Sequence, residues 1–211
     1  MNKLRMLCIG TATQDVFLTG KEVFKPVREH GGVFEHLPLG AKLDLDDIIF
    51  STGGNATNAA TTFARQGLES DFMGILGTEP SGEAVMQDLD AENIGTQYVN
   101  QQQRYKTGYS TILLAPNGER TVLVHHGTPL RADGSDLSLE AIGRADWLYV
   151  SSVGSMELLE KIITLAAKNG VQVALNPSHR ELEQVHKLRT LLDDITVLIT
   201  NKEEMQLIVE G

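Results

Sequence analysis

The chain has 211 residues and a formal net charge of −10, from 18 Lys and Arg against 28 Asp and Glu. An acidic chain without a basic run is a poor candidate for binding nucleic acid or an anionic membrane surface. No stretch approaches the ~20 apolar residues that span a bilayer, and the first apolar run is too short for a signal peptide. The one cysteine, Cys8, excludes an internal disulfide and a cysteine-based zinc cluster. These features predict a cytoplasmic protein that acts on a small molecule.

The first half of the chain predicts a strand, a long irregular region and then alternating helices and strands. An apolar run over residues 4–9 that stops at Gly10 is typical of a buried strand. Residues 11–52 hold glycines, prolines and short apolar alternations, which predict a flap of short strands. Long loops inside a domain are usually functional. The elements expected next are a helix over 58–66, a strand over 71–76 and a helix over 81–93.

The second half begins with three predicted strands, over 97–101, 106–114 and 120–124, the last two joined by an Asn-Gly hairpin signal at 117–118. From residue 136 the pattern alternates regularly. Helices are predicted over 137–143, 156–168 and 180–192, strands over 147–151, 171–175 and 195–199, and a last helix from 201. This alternation with short turns predicts a doubly wound, mostly parallel α/β sheet with helices on both faces.

The segment around two consecutive glycines is the most informative motif. Gly53 and Gly54 stand just before a predicted helix, so the backbone there can approach a ligand closely and the helix N-terminus can offer N–H groups. Asn55 and Asn58 are three residues apart and can face one ligand from the first turn, with amides suited to hydroxyl groups. The alternative is a Gly-Gly turn followed by an Asn N-cap.

Polar residues that follow predicted strands are further candidates. Asp15 comes just beyond the first strand, where open α/β sheets bind ligands, and its carboxylate could accept two hydroxyls of a sugar; the alternative is a turn-forming Asp. Asn201 and Glu204 follow the last strand. They have the spacing of a capping box, or else face the crevice, where the carboxylate could hold a metal-bound water near phosphates.

Other motif searches narrow the function classes. The sequence has no Gly-x-x-x-x-Gly-Lys-Ser/Thr loop, no Gly-x-Gly-x-x-Gly after the first strand and no Gly-x-Ser-x-Gly. The absence of Gly-x-Gly-x-x-Gly disfavours a nucleotide-binding oxidoreductase. His125 and His126 are adjacent on a predicted strand and point to opposite faces, which argues against a shared metal.

The order and spacing of several segments resemble the PfkB-type carbohydrate kinase family, the ribokinase-like kinases. The segments are Gly-Thr-Ala-Thr-Gln-Asp at 10–15, Gly-Gly-Asn-Ala-Thr-Asn-Ala-Ala at 53–60, Phe-Met-Gly-Ile-Leu-Gly at 72–77, the paired strands over 107–124 and Thr-Asn-Lys-Glu-Glu at 200–204. The resemblance implies a ribokinase-like sheet and ATP-dependent phosphoryl transfer to a hydroxymethyl group of a sugar or nucleoside.

The resemblance also implies roles for individual residues. Contacts to the small-molecule substrate fall to residues near the first strand and the glycine pair: Asp15, Gly53, Gly54 and Asn58, with Thr13 and Asn55 as secondary candidates. Asn201 and Glu204 would organise ATP and Mg²⁺, Glu204 indirectly through a water. The use of a monovalent cation is left open. A β-lid from about 16–52 and part of 97–126 would close over the substrate and could pair two copies into a homodimer.

One family feature is not found in these residues. The family's catalytic base is an Asp in a Gly-Ala-Gly-Asp segment beyond the Asn-x-x-Glu motif, and no Gly-x-Gly-Asp occurs in the 211 residues. We therefore expect residues 1–211 to form an incomplete ribokinase-like domain that carries the substrate half of the site, with the base beyond Gly211, and to be inactive alone. The alternative is a non-catalytic sugar- or nucleoside-binding or dimerisation protein.

Overall fold

A parallel β-sheet positions the rest of the molecule. The computed structural model describes residues 3–210, and within them six strands form this sheet. The strands are β1 (Arg5–Gly10), β6 (Glu69–Leu76), β7 (Gly95–Gln101), β10 (Trp147–Ser151), β11 (Gln172–Asn176) and β12 (Val197–Leu198). They pair in the order β12-β11-β10-β1-β6-β7, and every pairing is parallel. We call this the large sheet.

Helices cover both faces of the large sheet, as the alternation of elements predicted. They are α1 (Asn55–Arg65), α2 (Pro80–Ala91), α3 (Met156–Asn169), α4 (His179–Leu182), α5 (Val185–Thr190) and α6 (Lys202–Glu210). In β1, Leu7 and Ile9 belong to an apolar core with residues of α3, whereas Cys8 belongs to a second core with residues of α1 and α2. Because successive strand residues point to opposite faces, one strand supplies both cores.

Four strands form a second, smaller sheet beside the first. They are β2 (Thr13–Thr19), β5 (Asp47–Gly53), β8 (Gly108–Leu114) and β9 (Arg120–His125), paired in the order β5-β2-β8-β9. Strand β2 is parallel to β8 and antiparallel to β5, and β8 is antiparallel to β9. A separate hairpin joins β3 (Pro26–Glu29) to β4 (Gly32–Glu35). We call the four strands the small sheet; it arises from the flap region and the 106–124 strands.

Three predicted elements differ from the structure. The helix expected over 180–192 is two short helices, because Gln184 leaves the helical conformation with φ −112° and ψ 41°. The helix expected over 137–143 is a 3₁₀ segment, Leu139–Arg144. The strand expected over 195–199 is reduced to Val197–Leu198, the two residues that pair with β11. The predicted last helix is α6, and Gly211 lies outside the described residues.

Over residues 3–210, none of the helices has the length and apolar character needed to cross a membrane.

Candidate functional site

The carboxyl ends of the central strands meet along one edge of the large sheet. Gly10 at the end of β1 is paired with Ser151 of β10, and Ser151 is paired with Asn176 of β11. A Cβ on Gly10 would lie 1.8 Å from the Ser151 carbonyl oxygen, so only glycine allows the strands to approach in this way. Open parallel sheets bind ligands at this edge, which makes it the candidate site.

The glycine pair links the small sheet to α1 at this edge. Gly53 ends β5, and Gly54 adopts φ 102°, a conformation that favours glycine, at the N-cap of α1. No side chain caps this helix, so the Asn N-cap considered as an alternative is wrong. The buried Thr57 hydroxyl instead donates to the Gly53 carbonyl oxygen at 2.6 Å. The turn is therefore fixed from within, and the first turn of α1 faces the edge uncapped.

Asp15 lies on the small sheet and not in a turn beyond β1. It is a residue of β2, paired with Ser51 of β5 and Ser110 of β8, and directly paired residues share one face of a sheet. Its Oδ1 accepts a hydrogen bond from the Thr13 hydroxyl at 3.0 Å. Its Oδ2 lies directly over Gly53, where a Cβ would come within 2.0 Å of it. Three sequence-predicted residues, Asp15, Thr13 and Gly53, are thus in one cluster.

Asn55 and Asn58, both in the first turn of α1, have different surroundings. The Asn55 amide donates to the Ser152 hydroxyl at 3.1 Å, which connects α1 to the loop after β10. Asn58 is exposed, and its backbone N–H donates to the Gly54 carbonyl oxygen at 2.9 Å. Asn55 therefore contacts the strand edge directly, whereas the Asn58 side chain faces solvent in this structure.

A chain of hydrogen bonds runs along the edge, and the sequence did not predict that these residues lie together. The Ser151 and Ser152 hydroxyls are 3.4 Å apart, and the Ser151 hydroxyl donates to Asn176 Oδ1 at 3.2 Å. The Asn176 amide then donates to the Ile199 carbonyl oxygen at 2.9 Å. The only signal of these contacts in the sequence was that β10 and β11 each end in a small polar residue, and such residues also suit turns.

Asn201 and Glu204 lie at the far end of the same edge. The Asn201 N–H donates to Glu204 Oε2 at 2.9 Å, and the Glu204 N–H donates to Asn201 Oδ1 at 2.8 Å. These reciprocal contacts are the capping box that the spacing predicted, and they start α6. Strand β12 is three positions from β1 in the sheet, which corresponds to about 14 Å at the usual strand spacing. Asn201 and Glu204, which follow β12, are therefore at a distance from Gly10 at the end of β1.

The carboxylate of Glu79 holds the residue that precedes β8 of the small sheet. Glu79 Oε1 accepts from the Thr107 N–H at 2.6 Å, and the Thr107 hydroxyl accepts from the Gly77 N–H at 3.0 Å. Burial raises the pKa of Glu79, but hydrogen bonds from Thr107 and from its own backbone N–H, together with the charge of Lys106, bring the net pKa below its ordinary value. Glu79 is thus held as an anion at the start of α2, next to β8.

Two observations on residues 3–210 concern candidate catalytic groups. Burial raises the pKa of the Cys8 thiol, so it cannot supply a thiolate nucleophile. No cluster of three or more His, Cys, Asp or Glu side chains suited to a metal ion occurs in this part of the chain.

Comparison with known proteins agrees with the resemblance. The pfkB family carbohydrate kinase profile matches residues 34–210. Ribokinase of Staphylococcus aureus is 23% identical over 206 residues, which are 97% of this chain and 62% of that protein. The chain thus spans about three fifths of this relative's length.

Solved structures share the fold along the whole chain. The structure of Arabidopsis thaliana ribokinase complexed with ribose and ATP has a TM-score of 0.71 and 19% identity, covering 100% of this chain and 64% of that one. The nucleoside kinase of Burkholderia thailandensis in complex with inosine has a TM-score of 0.69 and 16% identity, covering 98% of this chain and 63% of that one. The predicted ribokinase-like fold is confirmed, and with most of its length matched by the family profile, the chain belongs to the pfkB family of carbohydrate kinases.

Proposed function

We propose that this chain provides the substrate-binding part of a kinase that transfers phosphate from ATP to a hydroxymethyl group of a sugar or nucleoside. The observation that carries the proposal is the cluster of Asp15, Thr13 and Gly53 beside the uncapped start of α1, at the ligand edge of the sheet. Of two proteins with the same fold, one was solved with ribose and ATP and the other with inosine. Both ligands carry vicinal ribose hydroxyls.

Substrate recognition follows from the chemistry of this cluster. One Asp15 oxygen accepts from Thr13, and the carboxylate retains lone pairs for two hydroxyls of a substrate. Hydrogen bonds to an ionised carboxylate are stronger than neutral ones, which suits selection of a vicinal diol. Gly53 leaves room for the Asp15 carboxylate to lie over the backbone, and Gly54 allows the start of α1 to pack closely on the backbone of Thr11 and Ala12. Asn55 and Asn58 are within the same helical turn and supply further amide partners.

The opposite end of the edge suits a triphosphate with Mg²⁺. Mg²⁺ usually keeps several waters and binds one or two carboxylates together with phosphate oxygens, and Glu204 can supply one such carboxylate through a water. Its Oε2 accepts from the Asn201 N–H. When bound, the ATP–Mg²⁺ complex supplies the phosphoryl group and neutralises its charge. The role of Asn201 and Glu204 in this proposal is to orient the triphosphate while they cap α6.

The proposed lid is formed by residues from about 16–52 and part of 97–126, which include most of the small sheet, and two copies of it are the proposed dimer contact. Its outer strands expose large apolar side chains: Ile49 is 51% exposed, Phe50 64% and Leu123 57%. Such a patch on a sheet with two unpaired edges suits an interface between copies. Sedimentation of the purified chain should give a dimer that Phe50→Asp converts to a monomer; a wild-type monomer at micromolar concentration would rule this contact out.

Substrate binding by the 211-residue chain tests the main proposal. Calorimetric titration with D-ribose and with inosine should detect binding of at least one. Asp15→Ala should weaken it about 30- to 1000-fold, the equivalent of roughly 2–4 kcal/mol for two charged hydrogen bonds. Asp44→Ala, which removes an exposed carboxylate from the flap, is the matched control and should bind normally. Equal affinity of both variants would refute the assignment of Asp15.

Phosphoryl transfer by the same polypeptide is not expected. The 211 residues contain no Gly-x-Gly-Asp segment to supply a base, and a positioned base contributes about 10²- to 10⁴-fold in rate. ATP turnover above background with ribose or inosine would overturn this part of the proposal without affecting the binding site.

A further inference from the structure

The loops that follow β10 and β11 are joined by one fully buried acid. Glu181 in α4 has 0% of its surface exposed. Its Oε1 accepts a hydrogen bond from the Gly154 N–H at 2.8 Å, and its Oε2 accepts one from the Ser178 N–H. Gly154 is in the loop after β10, and Ser178 is in the turn after β11. One carboxylate therefore connects the two loops, because each of its oxygens accepts a hydrogen bond from one of them.

An ionised carboxylate is well suited to this place. A buried charge is unfavourable unless its hydrogen bonds are satisfied, and here two backbone donors meet two acceptor oxygens. An apolar residue would fill the same volume but would leave both N–H groups unpaired. A glutamine would offer an acceptor to one N–H and an N–H₂ group to the other. The site thus requires a group that only accepts.

The loop held by Glu181 carries a residue in an unfavourable backbone conformation. Ser152, two residues before Gly154, has φ 56°, a left-handed conformation that non-glycine residues adopt only when their surroundings fix it. In this conformation the Ser152 hydroxyl accepts the hydrogen bond from Asn55 in the first turn of α1. The contact that fixes the loop is therefore next to the contact that fixes Asn55.

We propose that Glu181 is a positioning residue of the substrate site: by tying the loop after β10 to the turn after β11, it holds Ser152 in the conformation that orients the Asn55 amide. Glu181 itself touches no substrate. The inference rests on the proposed function for its consequence, since Asn55 is one of the proposed substrate contacts. Its structural content, the path from Glu181 through Ser152 to Asn55, can be tested without a ligand.

Nuclear magnetic resonance of the Asn55 side-chain amide is the direct test. Its signals are identified by their absence from the spectrum of Asn55→Asp. Glu181→Gln, which keeps the shape of the side chain, should shift these signals and broaden the amide signal of Ser152. Glu183→Gln is the matched control, because Glu183 follows on the same segment but is exposed and pairs only with His179 among the ion pairs of the described chain. Unchanged Asn55 signals in folded Glu181→Gln would overturn the proposal.

Two further measurements cover the remaining outcomes. If Glu181→Gln does not fold, Glu181→Asp takes its place in the test, because it keeps the charge but has a shorter side chain. Amide hydrogen exchange of the wild type needs no variant: Gly154 and Ser178 should exchange far more slowly than exposed loop amides, and rapid exchange at both would refute the tie between the loops. A folded Glu181 variant should also bind ribose or inosine about tenfold more weakly. If the wild type binds neither while Glu181→Gln still shifts the Asn55 signals, the proposed function fails and the positioning role stands.

Discussion

Gly53→Ala separates substrate binding from stability. A Cβ at Gly53 would lie 2.0 Å from Asp15 Oδ2, 2.6 Å from Asp15 Cγ and 2.8 Å from the Thr13 hydroxyl. These nearest atoms all belong to side chains, and Gly53 is not in a left-handed conformation, so alanine fits the backbone. The Asp15 carboxylate can turn away from the new methyl group. The structure therefore predicts a displaced carboxylate on an intact fold.

The two expected effects differ in size. Losing the hydrogen bond between Thr13 and Asp15 costs about 1 kcal/mol, which corresponds to a fall in Tm of about 2–4 °C for a chain of this length. Moving the carboxylate away from two substrate hydroxyls costs roughly 2–4 kcal/mol of binding, or about 30- to 1000-fold in Kd. Calorimetric titration with the sugar or nucleoside that the wild type binds, and thermal unfolding of the same samples, measure both.

A double-mutant cycle makes this prediction strict. If Gly53→Ala acts only through Asp15, the Asp15→Ala/Gly53→Ala double variant should bind no more weakly than Asp15→Ala alone. Wild-type affinity in Gly53→Ala would refute the reasoning, because it would mean that the position of the Asp15 carboxylate is irrelevant to binding. A fall in Tm of more than about 10 °C would show that the clash is with the backbone and not with a mobile side chain.

Three other substitutions have defined outcomes. Gly10→Ala forces a Cβ to 1.8 Å from the Ser151 carbonyl oxygen, so thermal unfolding should show a loss of at least about 3 kcal/mol, or 6–12 °C in Tm; a smaller loss would mean that the strands separate easily. Glu79 has a lowered folded pKa, so its contribution to stability is present above its ordinary pKa of 4.5 and is lost as pH falls through the folded value. Urea unfolding of Glu79→Gln should therefore differ from wild type at pH 7 and converge with it in acid, and a constant difference would contradict this. Asn201→Ala should destabilise the start of α6 by about 1 kcal/mol and speed its amide exchange, whereas unchanged exchange would exclude a capping role.

The regular second half of the chain could be predicted because short turns leave little choice. Strands over 147–151 and 171–175 were assigned almost to the residue, and parallel pairing followed from the helices between them. The break between α4 and α5 could not be predicted, because the apolar pattern continues through Gln184, whose backbone nevertheless leaves the helical conformation.

The arrangement of the candidate site could be predicted only in part. Asp15, Thr13 and the glycine pair were named as candidates and lie together, yet Asp15 was expected after β1 and not on β2, since residues 11–52 gave no clear strand boundaries. Asn201 and Glu204 were recognised because a capping box is a local motif. The contact between Asn55 and Ser152 joins residues 97 positions apart, and only the folded chain brings them together.

The central place of β1 governs the order in which the molecule can be assembled during synthesis. Strand β1 lies between β6 and β10, and the Arg5 N–H donates to Asp146 at a separation of 141 residues. The ribosome therefore releases β1 and β6 well before β10, a delay of roughly 4–14 s at ~5–20 residues per second. Until then one side of β1 is an unpaired strand edge, open to pairing with other chains. Since Gly10 meets Ser151 only when β10 arrives, the nascent chain has no ligand edge before residue 151 has been made.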